Sequence, residues 1–200
     1  VEVRANKLKK GKNKLKSMVE FLAMDEKDVL QLMAIFKEMD EDDSGEVSLT
    51  EFFDYIDVDR SVFGDKMFQF LDENNDGQLD FPEFVNAVGT YNMFGVTEWL
   101  QFAFGMFDKD GNGYIMEPEL KELLVTIHGD DPLHTGGVDR VMDVFDRNGD
   151  GKVEWAEFVS VNKRYASMFM PIFTIQKNMQ RSFLGQRYWN RKKQLFAQVR

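Results

Sequence analysis

Four short stretches of the chain place oxygen-bearing side chains at identical intervals: DEDDSGEVSLTE (Asp40–Glu51), DENNDGQLDFPE (Asp72–Glu83), DKDGNGYIMEPE (Asp108–Glu119) and DRNGDGKVEWAE (Asp146–Glu157). Each opens on Asp, carries a further oxygen donor at its third and fifth positions, Gly at the sixth, an aliphatic residue at the eighth and Glu at the twelfth. Composition alone does not generate such a repeat four times. The chemistry it serves is the capture of a hard cation by oxygen. Ca2+ takes about six to eight oxygens at roughly 2.3–2.6 Å. Alternate residues of a tightly turning loop point inward, so the first, third and fifth positions deliver side-chain oxygens. These are Asp40, Asp42 and Ser44, then Asp72, Asn74 and Asp76, then Asp108, Asp110 and Asn112, and finally Asp146, Asn148 and Asp150. The seventh residue supplies its backbone carbonyl, which leaves its side chain free to vary, and it is Glu46, Gln78, Tyr114 and Lys152 in turn. The twelfth, Glu51, Glu83, Glu119 and Glu157, offers two oxygens at once and lifts the coordination number above the octahedron that Mg2+ prefers.

All four loops are therefore expected to take Ca2+, up to four ions in the chain. The sharp turn at the sixth position calls for positive φ, hence Gly45, Gly77, Gly113 and Gly151. The ninth position, which often acts through a water, is Ser48, Asp80, Met116 and Glu154. Met116 has no side-chain oxygen, so solvent or another group would complete that loop. Acidic groups at positions one, three, five, nine and twelve number three, four, three and four, which ranks the second and fourth loops as the strongest.

Helices must hold these loops. Apolar residues precede each loop by four and by one positions, namely Phe36/Met39, Phe68/Leu71, Phe104/Phe107 and Met142/Phe145, and Phe52, Phe84, Leu120 or Phe158 follows it. That is one helical face on either side of every loop. Asp25 before Asp28, Ser61, and Thr97 before Trp99 and Leu100 read as helix starts. The eighth positions, Val47, Leu79, Ile115 and Val153, pair as short antiparallel strands, joining loop one to two and loop three to four. The predicted fold is all-α, with two lobes, each a pair of helix–loop–helix units with a short β link, plus a basic C-terminal helical tail. Its segments are a basic arm over 1–24, lobes over 25–90 and 97–162, a joint over 91–96 within the Gly89–Gly95 stretch, and the tail over 163–200.

The repeats resemble the calcium-binding EF-hand superfamily over about two-thirds of the chain. Within it the chain is more similar to calcineurin B and its relatives, the calcineurin B-like and neuronal calcium-sensor proteins, than to calmodulin. The first two loops start 32 residues apart and the later intervals are 36 and 38. The run from Leu100 to Asp108 resembles the approach to the third site of those proteins, and Glu83-Phe84-Val85 with Val88 resembles the exit from their second. Such relatives are sensors or regulatory subunits whose lobes grip a helix of a target enzyme. The resemblance thus implies a non-enzymatic role, with a protein target, an amphipathic helix, as partner. Two features depart from it: there is no amino-terminal Gly for acylation, and the tail after residue 162 is longer than the resemblance implies.

Composition narrows the alternatives. The 200 residues are 43% hydrophobic, enough for packed cores, and include no Cys, which removes disulfide scaffolds, thiol catalysis and thiolate metal sites. His128 and His134 sit in a Gly/Asp/Pro-rich connection without a nucleophile motif, and read as exposed loop residues. No apolar run reaches the ~20 residues of a membrane span, and the basic amino end lacks the apolar segment of a secretory signal. An intracellular protein, cytoplasmic or cytoskeleton-associated, is expected. The net charge of −10 divides into +6 over residues 1–16, −25 over 17–162 and +9 over 163–200. An acidic body argues against nucleic acid as a partner. The Lys7–Lys16 region reads as a solvated arm. From Pro171, the residues Ile172, Ile175, Met179 and Phe183 recur at helical steps, followed by Trp189, Phe196 and Val199 among Arg181, Arg187, Arg191, Lys192 and Lys193. Intramolecular docking of residues 171–200 on a lobe, binding of an external protein, and peripheral membrane contact are the three readings of this tail. A calcium buffer, a structural component of a cytoskeletal or axonemal assembly, and an excised regulatory region of a calcium-dependent enzyme stand beside the sensor reading of the whole.

Overall fold

A computed structural model describes residues 15–128, 138–164 and 170–199. His134 and the lysines of residues 7–14 lie outside them, as does the side chain of His128. The order of elements is α1 (15–21), α2 (Glu26–Met39), β1 (Val47–Ser48), α3 (Leu49–Tyr55), α4 (Val62–Leu71), β2 (Gln78–Leu79), α5 (Phe81–Met93), α6 (Val96–Phe107), β3 (Tyr114–Met116), α7 (Glu117–His128), α8 (Val138–Phe145), β4 (Lys152–Glu154), α9 (Trp155–Arg164), α10 (Met170–Ser182) and α11 (Gln186–Val199). The expected all-α architecture with two small β links is what forms. β1 pairs antiparallel with β2 through Val47↔Leu79 and Ser48↔Gln78, and β3 with β4 through Ile115↔Val153 at its centre. The eighth residues of paired loops thus face one another.

The chain divides into two compact units, one of residues 1–60, 67–93 and 175–200, the other of residues 61–66 and 94–174. In the first unit Phe36, Met39, Val47, Phe52, Phe68, Leu79 and Phe84 form the core, and ring centroids lie 5.4 Å apart for Phe36–Phe84 and 5.9 Å for Phe52–Phe68. The second unit is built the same way on Phe104, Phe107, Ile115, Phe145, Val153 and Phe158, with Phe104 and Phe158 5.4 Å apart. Met142, by contrast, is only half-buried.

Helix starts follow local chemistry. Asp25 Oδ1 accepts the N–H of Asp28 at 2.9 Å while Asp28 Oδ2 accepts that of Asp25, a reciprocal capping box. Ser61 Oγ accepts the N–H of Gly64. Helix α6 begins one residue before Thr97: Gly95 is extended there, and Glu98 reaches back to accept its N–H at 3.0 Å. Helix α5 continues through Gly89 to Met93. The absent side chain there makes room for packing, since a Cβ would stand 2.6 Å from Met18 Sδ and 2.8 Å from Leu22 Cδ1.

Residues 175–199 complete the first unit. Ile175, Met179, Phe183 and Trp189 are fully buried in it, and Phe183 meets Phe84 at 5.3 Å and Tyr55, stacked, at 6.1 Å. Tyr188 donates its hydroxyl to Asp28 Oδ2 at 2.9 Å. Burial, and next the hydrogen bond with Asp28, push the Tyr188 phenol well above its ordinary range.

Candidate metal centres

Each loop opens where its first helix runs out. Asp40 and Asp108 are the C-caps of α2 and α6, and their N–H groups donate to Phe36 O and Phe104 O. The first carboxylate then organises the turn by accepting backbone N–H groups from across it. Its Oδ2 accepts from the sixth-position glycine in every loop: Gly45 to Asp40 at 2.8 Å, Gly77 to Asp72 at 2.7 Å, Gly113 to Asp108 at 2.9 Å and Gly151 to Asp146 at 2.8 Å. Those glycines have φ between 84° and 87°, the left-handed region closed to most side chains. The fourth position is left-handed too, as Asp43, Asn75, Gly111 and Gly149. Sequence reasoning passed over it, although Asp, Asn and Gly are the residues that tolerate this conformation.

The twelfth-position Glu closes the loop from the other side. It sits in the first turn of the exiting helix, and its Oε2 accepts the ninth residue's N–H: Ser48 to Glu51 at 2.7 Å, Asp80 to Glu83 at 3.1 Å, Met116 to Glu119 at 2.9 Å and Glu154 to Glu157 at 3.0 Å. Oε1 accepts the second residue's N–H, at 2.9 Å from each of Glu41, Lys109 and Arg147. In the second loop the Asn74 side-chain amide takes that place, donating to Glu83 Oε1 at 2.9 Å. These second-position N–H groups carry no side-chain signal and were not legible in the sequence.

The third and fifth positions hold the interior of the turn. Asp42 Oδ1 accepts the N–H of Ser44, Asp110 Oδ1 that of Asn112, Asn148 Oδ1 that of Asp150, and Asp76 Oδ1 that of Gln78. Ser44 donates its hydroxyl to the carbonyl of Glu46, the seventh residue, at 2.8 Å. The other seventh residues, Gln78, Tyr114 and Lys152, lie in the strands, and Lys152 Nζ stands 3.7 Å above the Tyr114 ring.

Among the described residues, carboxylates gather closely in two places. Oxygens of Asp40, Asp42 and Glu51 lie within 4.8 Å of one another, as do those of Asp108, Asp110 and Glu119. The second and fourth loops, richer in acids overall, carry Asn at the third position, where an amide oxygen replaces a carboxylate. Hydrogen bonds from the Ser44 hydroxyl and then its N–H hold Asp42 below the usual carboxylate range, and the N–H of Gly151 does most to lower Asp146. Burial tends to raise Glu51, but hydrogen bonds from Ser48 and the N–H of Glu41 outweigh it. At Glu83 burial wins and the carboxyl stands above its ordinary value, with Asp80 and Asp76 adding to the rise. Clustered hard oxygens, already oriented by backbone N–H groups, fit a multivalent oxygen-seeking cation.

Comparison with known proteins agrees with that donor set. The EF-hand domain pair matches residues 97–161 and again 14–57, and the EF hand domain matches 65–91. The chain is 33% identical over 141 residues to a calcineurin subunit of Bos taurus, calcineurin B type 2, covering 68% of this chain and 83% of that one. It is 31% identical over 169 residues to the corresponding calcineurin B of Yarrowia lipolytica, covering 81% and 98%. The chain belongs to the EF-hand superfamily, among the calcineurin B proteins. Its ion is Ca2+, as the oxygen-only loops of an EF-hand protein require. Among its described residues no helix is long and apolar enough to cross a membrane.

Two further side chains brace the third EF-hand loop. Lys109, its second residue, pairs with Glu122 Oε2 at 2.6 Å, and Lys66 of α4 pairs with Glu122 Oε1. Hydrogen bonds from Lys109, then Lys66, lower the Glu122 carboxyl.

Proposed function

We propose that this chain is a calcium-responsive sensor or regulatory subunit, without catalytic activity of its own, that engages an amphipathic helix of a protein partner inside the cell, in the cytoplasm or on the cytoskeleton. The first, third, fifth, seventh and twelfth residues of the four loops are its ligands. The observation that carries the reading is the convergence of loop carboxylates on backbone N–H donors, in a chain whose relatives are by name subunits of a larger assembly. When bound, Ca2+ offsets the mutual repulsion of those carboxylates. Glu51, Glu83, Glu119 and Glu157 belong at once to a loop and to the first turn of its exiting helix. Any shift of the carboxylate is therefore a shift of that helix, and of the apolar face the helix shares with its partner.

The packing of residues 175–199 on the first unit supports an intramolecular occupant for one such face. Ligand assignment is tested with Glu83→Gln and Glu157→Gln in titration calorimetry, after circular dichroism shows the helices intact. Each should weaken one site at least tenfold, about 1.4 kcal/mol. Unchanged affinities and stoichiometry in both would refute the assigned loops.

A further inference from the structure

One position of the third loop lacks the oxygen that its counterparts supply. The ninth residues are Ser48, Asp80, Met116 and Glu154, and Met116 alone of these ends in a thioether. Sulfur of that kind suits soft metals, whereas the loop gathers hard oxygens for a hard cation. Yet the backbone of Met116 is fastened to the site. Its N–H donates to Glu119 Oε2 at 2.9 Å, and oxygens of Glu119, Asp108 and Asp110 lie within 4.8 Å of one another.

The Met116 side chain is open to solvent. The residue ends β3 and pairs across the ladder with Lys152, on the face opposite to the fully buried Ile115 and Val153. Met116 is 40% exposed, whereas Met39, Met67 and Met179 are buried. Lys152 already has its ammonium engaged, 3.7 Å above the Tyr114 ring and 3.8 Å from Asp150 Oδ2.

A peroxide converts an exposed thioether to the sulfoxide. The peroxide O–O bond breaks, one oxygen becomes bonded to Sδ, and the other leaves as water. Sulfur is thereby oxidised and the peroxide reduced. Covalent structure fixes the reach of the new oxygen: it is the fourth atom beyond Cα, after Cβ, Cγ and Sδ. In Glu154, the ninth residue of the paired fourth loop, Oε is likewise the fourth, after Cβ, Cγ and Cδ. Oxidation therefore gives the third loop a neutral counterpart of the side-chain oxygen that the fourth loop carries.

We propose that Met116 is a modification site at which oxidation by a peroxide tightens the third loop for Ca2+. The change is reversible, because methionine sulfoxide is a substrate for dedicated reductases. The inference rests on the ligand assignment above.

The readout is the backbone amide resonance of Gly113, whose N–H donates to Asp108 Oδ2 at 2.9 Å and so reports on the third loop; Gly77 in the second loop is the reference. Full-length chain is treated with hydrogen peroxide without Ca2+, the added oxygens are located by mass spectrometry, and Ca2+ is titrated in. A direct or water-bridged donor is worth about threefold to tenfold in affinity. The Gly113 midpoint should fall by that factor while the Gly77 midpoint stays in place. Met33 and Met170, 38% and 54% exposed, are open to the same oxidant, so Met116→Leu separates the sites. In that chain peroxide should leave the Gly113 midpoint unchanged. Met116→Gln, whose amide oxygen is also the fourth atom beyond Cα, should reproduce the tightening without peroxide, with helicity retained in circular dichroism. A Gly113 midpoint unchanged or raised in Met116→Gln overturns the proposal. So does a peroxide shift that survives Met116→Leu, or a Met116 that stays reduced while Met170 is converted. A Gly113 resonance indifferent to Ca2+ in every chain would instead refute the ligand assignment, and the modification site with it.

Discussion

Phe183→Ala isolates the anchor that fixes the turn between α10 and α11. The ring is fully buried, with Phe84 at 5.3 Å, Phe52 at 6.0 Å and Tyr55 at 6.1 Å from its centroid. Truncation of a buried Phe to Ala costs about 3–5 kcal/mol, the spread reflecting how far the site can collapse. Here Phe52 and Tyr55 stand on α3 and Phe84 on α5, so the void closes only if one helix moves on another. A loss in the upper half of the range, about 4 kcal/mol, is expected. Phe183→Leu keeps most of the volume and should cost under about 1.5 kcal/mol. With urea slopes of about 1–3 kcal/mol/M, the alanine variant should move the unfolding midpoint of the first unit by more than ~1 M. Urea titration with hydrogen exchange across α3, α5 and α11 measures this directly. A loss below about 1 kcal/mol, the ordinary effect of an arbitrary substitution, would refute the anchoring role.

Gly113→Ala tests the loop geometry in isolation: φ is +85° there and a Cβ would meet nothing within 4 Å. The penalty is conformational alone, about 1–2 kcal/mol, and should appear in calorimetry as a loss of affinity at the third loop of roughly tenfold or somewhat more. Unaltered binding would show that the left-handed turn is not required. Glu122 gives a pH signature. Its folded pKa lies below the ordinary 4.5, so its stabilisation is complete above that value and is lost as pH falls through the folded pKa. Glu122→Gln should therefore flatten the acid limb of thermal stability between roughly pH 5 and 3, by under ~1 kcal/mol for so exposed a pair. An unchanged acid limb would mean that the Lys66–Glu122–Lys109 pairs contribute nothing.

The loops were legible because coordination fixes residue types as well as spacing. Asp, Gly and Glu at positions one, six and twelve are demanded by oxygen count and backbone conformation, and the strand pairing of Val47 with Leu79 followed from the eighth position alone. What escaped was set by contacts distant in the chain. Gly89 gives no sign in the sequence that it stands in a helix, where its missing side chain admits Met18 and Leu22. Lys192 stands in the sequence as one cation among several in an amphipathic tail, yet it is buried against two carbonyls some 170 residues away. Nothing local distinguishes Gln176, Asn178 and Gln180 from ordinary surface amides, because their function lies in the helix ends they meet. Amphipathic periodicity left three readings of the tail side by side, its own lobe, an external protein and a membrane surface.

The discontinuity of the first unit has a consequence for how the chain comes into being. Synthesis yields residues 1–93 before 94–174, and those before 175–200, so the first unit closes only after the second has been made. Until the final stretch emerges, the helix ends at Leu22, Ile56 and Tyr91 lack their side-chain donors and the pocket for Phe183 stands open to water. The second unit, almost continuous in sequence, has every partner it needs sooner, since contacts near in sequence cost less chain entropy to close. A growing chain therefore presents an apolar, negatively polarised face for the time taken to translate more than 80 residues, an interval in which a chaperone or a nascent partner can meet it before the tail does.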